Sequence, residues 1–76
     1  MEIKMPKFSE RIKELRNEKG LTQEEMAELL NCKGRHYQRI EYGQVNIPSL
    51  TLALLADYFE VSTDYLLGRS DDRRTL

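Results

Sequence analysis

Little in this sequence can cross-link the chain or hold a metal: it has one cysteine, Cys32, and one histidine, His36. A single cysteine forms no intrachain disulfide and gives no sign of an oxidising compartment. Cys32 and His36 stand four apart and can share a helix face, but a zinc site takes about three or four ligands. The pair therefore reads as a buried thiol and a polar imidazole, and no metal or cofactor is expected. Apolar runs are short, and none approaches the roughly 18 residues of a membrane-spanning helix. The opening segment, Met1 to Pro6, lacks the apolar core of a secretory signal, so the expectation is a soluble, cytoplasmic chain with no membrane partner. Nucleophile–base pairings, Gly-rich phosphate loops and metal clusters are missing too, which leaves no ground for an enzyme or a small-molecule substrate.

A strong excess of positive charge is also absent. The formal net charge is −1, against the simplest expectation for a nucleic-acid-binding domain. The distribution says more than the sum. Lys33, Arg35 and Arg39 meet only one acid, Glu41, between Lys33 and Gln44, whereas Val45 to Leu67 holds only the acids Asp57, Glu60 and Asp64. A focused positive segment attracts phosphate even in a slightly acidic molecule.

What is present is helical punctuation over 76 residues, enough for one domain. Such a chain buries only about 60% of the surface its unfolded form exposes, so the core must be efficient. Phe8, Ile12 and Leu15 recur at helical spacing before Gly20. Thr22 to Glu25 forms a capping box, after which Met26, Ala27 and Leu30 line one face and Asn31 stands at the helix end. A third helix is predicted from about Lys33 to Tyr42, with Tyr37 and Ile40 inward and Gly43 closing it. The tight turn between these two short helices is the sequence form of a helix-turn-helix. A fourth helix is predicted over Ser49 to Phe59, and Ser62 caps a fifth that ends at Gly68. The expected fold is all-α with five short helices: a lead over residues 1–7, a domain over 8–68, and a flexible polar tail over 69–76.

The stretch Leu21 to Leu30, followed after the turn by Arg39 to Gly43, resembles the Cro/repressor-type helix-turn-helix family, also called the xenobiotic-response-element family. The similarity continues through Ile47-Pro48, Leu55 to Phe59, Val61-Ser62 and Asp64 to Gly68, and covers about residues 8 to 68 without a gap. It implies a lambda-repressor-like domain and a bacterial or phage transcriptional regulator, acting as a repressor on double-stranded DNA. In such proteins the second helix lies across the DNA backbone and the third enters the major groove.

The resemblance then distributes roles. Gln23, at the first turn of the second helix, matches the family's phosphate-clamping glutamine, and free N–H groups at a helix start favour that placement. Arg16 and Glu41 match a structural ion pair tying the first helix to the third. On the third helix the outward positions are Gly34, Arg35, Gln38 and Arg39. Arg35 is the first candidate base reader and Gln38 and Arg39 the next, because Arg pairs with guanine and Gln with adenine. Lys33, Gly34, His36 and Gln44 are assigned to the DNA backbone. Three departures from the family stand out. Lys33 replaces the usual small cap, Gly34 occupies a position that often carries a reading side chain, and Tyr42 and Gln44 replace the usual Asn and Lys, removing one expected phosphate contact.

The fourth helix has more apolar surface than one core needs. Leu52, Leu55, Ala56 and Phe59 form one side, and Leu50, Leu54 and Tyr58 form a second stripe nearly opposite. That stripe, with Tyr65, is the candidate surface of a homodimer, which would place two reading helices on successive turns of a palindromic operator. A loop or the tail folded over the stripe is the competing account. An alternative function is a protein-interaction module of the same fold, an antitoxin or an inhibitor of another regulator, with weak DNA binding.

Overall fold

The computed structural model describes residues 6–74, and over them the chain forms helices without strands. α1 spans Pro6–Glu18, α2 Gln23–Leu29, α3 Gly34–Glu41, α4 Ser49–Phe59 and α5 Thr63–Leu67. α1 starts earlier than the sequence suggests: Pro6 and Lys7 belong to the helix, because proline's fixed φ suits a first helical position. The rest of the expected lead, residues 1–5, lies outside the described residues.

Local chemistry sets each boundary. The Thr22 hydroxyl accepts from the Glu25 N–H at 3.1 Å, and the Glu25 carboxylate accepts from the Thr22 N–H at 3.0 Å, so the predicted capping box opens α2. Asn31 adopts the left-handed conformation, φ 54°, and turns the chain into α3. Lys33 stands at the N-cap of α3 with no side-chain bond to the helix, as a residue without an acceptor must. α5 is capped by the Ser62 hydroxyl, which accepts from the Tyr65 N–H at 2.9 Å. After α3, Gly43 has φ 72°, and a Cβ there would sit 2.8 Å from the Ser9 hydroxyl on α1. Glycine takes that turn without strain and leaves room for the Ser9 hydroxyl.

One core joins all the helices. Phe8, Ile12 and Leu15 from α1 meet Met26 and Ala27 from α2, Tyr37 and Ile40 from α3, and Leu55, Ala56 and Phe59 from α4, with Val61, Tyr65 and Leu66 completing it. α2 packs on α3, α1 on both α3 and α5, and α4 on α5. The α2–turn–α3 unit thus rides on α1, with the outward face of α3 left to solvent.

Two expectations are corrected at the C-terminal end. The backbone of Arg69–Arg74 returns to the start of α5, where the Arg73 carbonyl accepts from the Ser62 N–H at 2.9 Å. The Arg73 guanidinium reaches Glu18 at 2.7 Å, Glu14 at 3.2 Å and the Tyr65 hydroxyl at 3.2 Å. From α1, Arg11 holds the Tyr65 and Ser70 carbonyls and the Asp71 carboxylate. Residues 75 and 76 of the expected tail lie outside the described residues. Tyr65, expected at a dimer surface, is buried instead. Arg11 lies 4.1 Å and Arg73 5.4 Å from its ring centroid, so its ring and hydroxyl are engaged within the domain.

Candidate nucleic-acid interface

α3 divides its residues by helical period. Tyr37, Ile40 and Glu41 point inward, so residues opposite them stand out from the domain. Arg35, Gln38, Arg39 and Tyr42 occupy that outward side and are exposed. His36 and Lys33 are exposed on its flank and at its start, and Gln44 is exposed just past its end. An open groove runs between the start of α2 and α3, lined by Thr22, Gln23, Glu24, Gly34, Arg35 and Gln38, among others. The structure therefore brings Gln23, Gly34, Arg35 and Gln38 together, whereas Lys33, His36, Arg39 and Gln44 lie outside this groove. Gly34 is not imposed by crowding: a Cβ there would meet only the Glu24 Cγ at 3.9 Å.

Beneath this face lies a buried polar chain. The Glu41 carboxylate is 1% exposed and accepts from Arg16 at 3.1 and 3.2 Å on Oε1. Arg16 also donates to the Leu21 carbonyl at 2.8 Å, which ties the end of α1 to the start of α2. The second Glu41 oxygen accepts from Gln23 Nε2 at 2.9 Å, and the Gln23 carbonyl oxygen accepts from Gln38 Nε2 at 3.1 Å. Gln23 Nε2 also approaches the Tyr42 hydroxyl at 3.4 Å. The ion pair thus extends outward through Gln23 to Gln38, a candidate reader, and to Tyr42. One hydrogen of the Gln23 amide is thus held by Glu41, and the other is directed at the solvent-exposed side, towards the Tyr42 hydroxyl. Sequence reasoning treated Gln23 and Gln38 as independent and missed their bond; the signal was an amide at the start of α2 and another in the middle of the outward face of α3.

Tyr37 shares the underside of α3 with this chain. Its ring is fully buried, and its hydroxyl lies beside Arg16 and Glu41 without a hydrogen bond of ordinary geometry to either. Burial, with the negative charge of Glu41 beside it, pushes the phenol well above its ordinary range.

On α4, Leu50 is 85% exposed, Leu54 45% and Tyr58 37%. Lys19 lies 5.1 Å from the Tyr58 ring centroid and covers part of that end. The segment Arg69–Arg74 does not lie over the stripe, since its side-chain and backbone bonds go to α1, Ser62 and Tyr65. Among the described residues no helix is long and apolar enough to cross a membrane.

Comparison with known proteins agrees with this geometry. A helix-turn-helix family model matches residues 12–66, from within α1 into α5. The chain is 39% identical over 64 residues to the HTH-type transcriptional regulator ImmR of Bacillus subtilis, covering 84% of this chain and 50% of that protein. It is 38% identical over 60 residues to an uncharacterized HTH-type transcriptional regulator, YonR, derived from the SPbeta prophage of the same organism, covering 79% of this chain and 56% of that protein. The chain spans about half the length of these curated relatives. No solved structure matches the chain significantly. The capped α2, the tight turn, the outward face of α3 and these matches together place the chain in the Cro/repressor-type helix-turn-helix family.

Proposed function

We propose that the domain binds double-stranded DNA through the major groove, as a homodimer on a palindromic operator, and serves a cytoplasmic transcriptional regulator that acts as a repressor. The observation that carries the reading is the outward face of α3. Arg35, Gln38 and Arg39 are exposed together on a helix whose inner side is fixed by Tyr37, Ile40 and the buried Glu41. Arg35 reads guanine through its O6 and N7, and Gln38 and Arg39 supply the second and third contacts. Lys33, Gly34, His36 and Gln44 face the flanking phosphates, with Gln23 beside them. The names of the Bacillus relatives as transcriptional regulators support the same role.

The pairing rests on the uncovered Leu50–Leu54–Tyr58 stripe. A single small domain makes few base contacts, whereas two reading helices spaced by about 34 Å read successive turns of a palindrome.

The test is selection of bound sequences from a random duplex library near physiological salt, with Arg35→Ala run in parallel. Enrichment of a palindrome, with information lost at particular bases in the variant, supports the reading. A folded protein that enriches nothing sinks it and favours the protein-interaction module.

A further inference from the structure

We propose that Glu24, on the first turn of α2, is a positioning residue for Arg35: its carboxylate holds one edge of the Arg35 guanidinium, so that the other edge meets guanine and not a phosphate. This rests on the DNA-binding reading above and deepens it, because it traces the selectivity of α3 to a residue outside that helix.

Two uncommitted charges share one groove. Among the described residues lining the groove between α2 and α3, Glu24 is the one acid and Arg35 the one exposed cation. The other arginine there, Arg16, is held by Glu41 and by the Leu21 carbonyl. The acid next to Glu24 in the chain, Glu25, closes the capping box with Thr22. The ion pairs among the described residues are made by Arg11, Arg16, Arg73 and Arg74, and none of them takes Glu24. Gly34 leaves the space between the two charges open. A Cβ at that position would meet the Glu24 Cγ at 3.9 Å, so the Glu24 side chain lies over the start of α3, against the residue just before Arg35.

A guanidinium has five N–H donors, and guanine O6 and N7 take two of them. The others remain for a carboxylate, so Arg35 can hold a base and Glu24 at once. An arginine without that hold finds phosphate oxygens an equally good acceptor, and a phosphate contact carries no sequence information. A carboxylate on α2 acts on this choice twice, because α2 is the helix that crosses the backbone. It attracts the guanidinium and repels phosphate from the same place, and both effects strengthen as water leaves the interface. The accompanying loss is general: a negative charge beside phosphates lowers affinity for every sequence. Glu24 therefore reduces affinity and raises selectivity, which is a difference of affinities.

The experiment measures binding of wild type, Glu24→Gln, Arg35→Ala and the double variant. The duplexes are the selected one and those altered at the base pair whose information depends on Arg35, with folding checked by circular dichroism. Glu24→Gln should bind the altered duplexes about twofold to fivefold more tightly than wild type does, because a repulsion is gone. Its discrimination at that base pair should nevertheless fall about threefold to tenfold. In the Arg35→Ala background the same change should still tighten binding and leave discrimination untouched. A merely structural role for Glu24 would move selected and altered duplexes together. One common factor on both, of either sign, therefore overturns the positioning assignment alone. A loss of information that persists in the Arg35→Ala background also overturns it, and makes Glu24 a reader itself. An Arg35→Ala protein that keeps full discrimination leaves nothing to position and overturns it too. A folded wild type that retains no duplex overturns the DNA-binding reading along with it.

Discussion

Gln38 donates to the carbonyl oxygen of Gln23 at 3.1 Å, joining the outward face of α3 to the first turn of α2. The bond gives a surface side chain a fixed direction. One Gln38 hydrogen is committed to Gln23, and its other hydrogen and its carbonyl oxygen remain for an outside partner. Because Gln23 is itself oriented by Glu41, and Glu41 by Arg16, the direction of a long exposed side chain is traceable to a buried carboxylate.

That carboxylate makes the sharpest stability prediction. Glu41 is 1% exposed and the Arg16 side chain 12% exposed, so replacing one partner leaves the other charged and poorly solvated. Glu41→Ala should destabilise the domain by about 3–5 kcal/mol. Removing both charges at once, as in Arg16→Met with Glu41→Leu, should cost markedly less than the sum of the single changes. Urea unfolding of the four proteins in the cycle measures this. Strict additivity would mean that the pair does not interact.

α3 opens on two unfavourable residues, and both should be improvable. Lys33 makes no capping bond, and Gly34 sits in the helix with room for a Cβ, 3.9 Å from its nearest non-local neighbour. Lys33→Ser should stabilise by about 1 kcal/mol through a new cap. Gly34→Ala should add about 0.8–1 kcal/mol through helix propensity. Thermal melts would register both as a raised Tm. DNA binding should separate them: Lys33→Ser loses affinity evenly across sequences and flattens the salt slope, while Gly34→Ala leaves that slope intact.

The parts of the structure legible in the sequence were those written in local chemistry. The Thr22–Glu25 capping box, the left-handed Asn31, and the inward Tyr37 and Ile40 each follow from residues within a few positions of one another. Longer-range choices were not legible. Arg69–Arg74 reads as a solvated tail because its charges are paired only in space, Arg73 with Glu14 and Glu18. Tyr65 reads as a surface aromatic for the same reason, since the two guanidiniums that engage it come from α1 and from the returning chain. At the interface, periodicity identified the outward face, but the bonds among Gln23, Gln38, Glu41 and Tyr42 depend on how α2 meets α3, which no spacing encodes.

Tyr37 predicts a particular alkaline behaviour. Its phenol titrates above the ordinary value near 10 in the folded state because it is buried, with the Glu41 charge beside it. The unfolded chain therefore releases this proton first as pH rises. The folded state binds more protons above about pH 10, and linkage makes stability fall there. Its contribution is fully present below pH 10 and is lost as pH rises towards the folded value. Tyr37→Phe removes the ionisable group and a buried hydroxyl that makes no hydrogen bond of ordinary geometry, so stability at neutral pH should change little. The decline of Tm between neutral and strongly alkaline pH should be shallower in the variant, and parallel curves would sink the argument.

The stripe on α4 gives the prediction that separates a monomeric from a paired reader. Leu50 and Leu54 are 85% and 45% exposed, so glutamate at either position costs the isolated domain little. In a dimer closed by this face, the same change places charge against charge across a two-fold axis and leaves carboxylates unpaired in an apolar contact. Leu50→Glu with Leu54→Glu should therefore sediment as a monomer at concentrations where the wild type is dimeric, while keeping its helical content. Binding to a duplex with two half-sites should weaken towards that for a single half-site, because the second reading helix is no longer delivered with the first. If the double variant sediments as the wild-type dimer does, α4 is not the pairing surface. If the wild type is itself monomeric and binds a single half-site as tightly as two, pairing is no part of recognition by these residues.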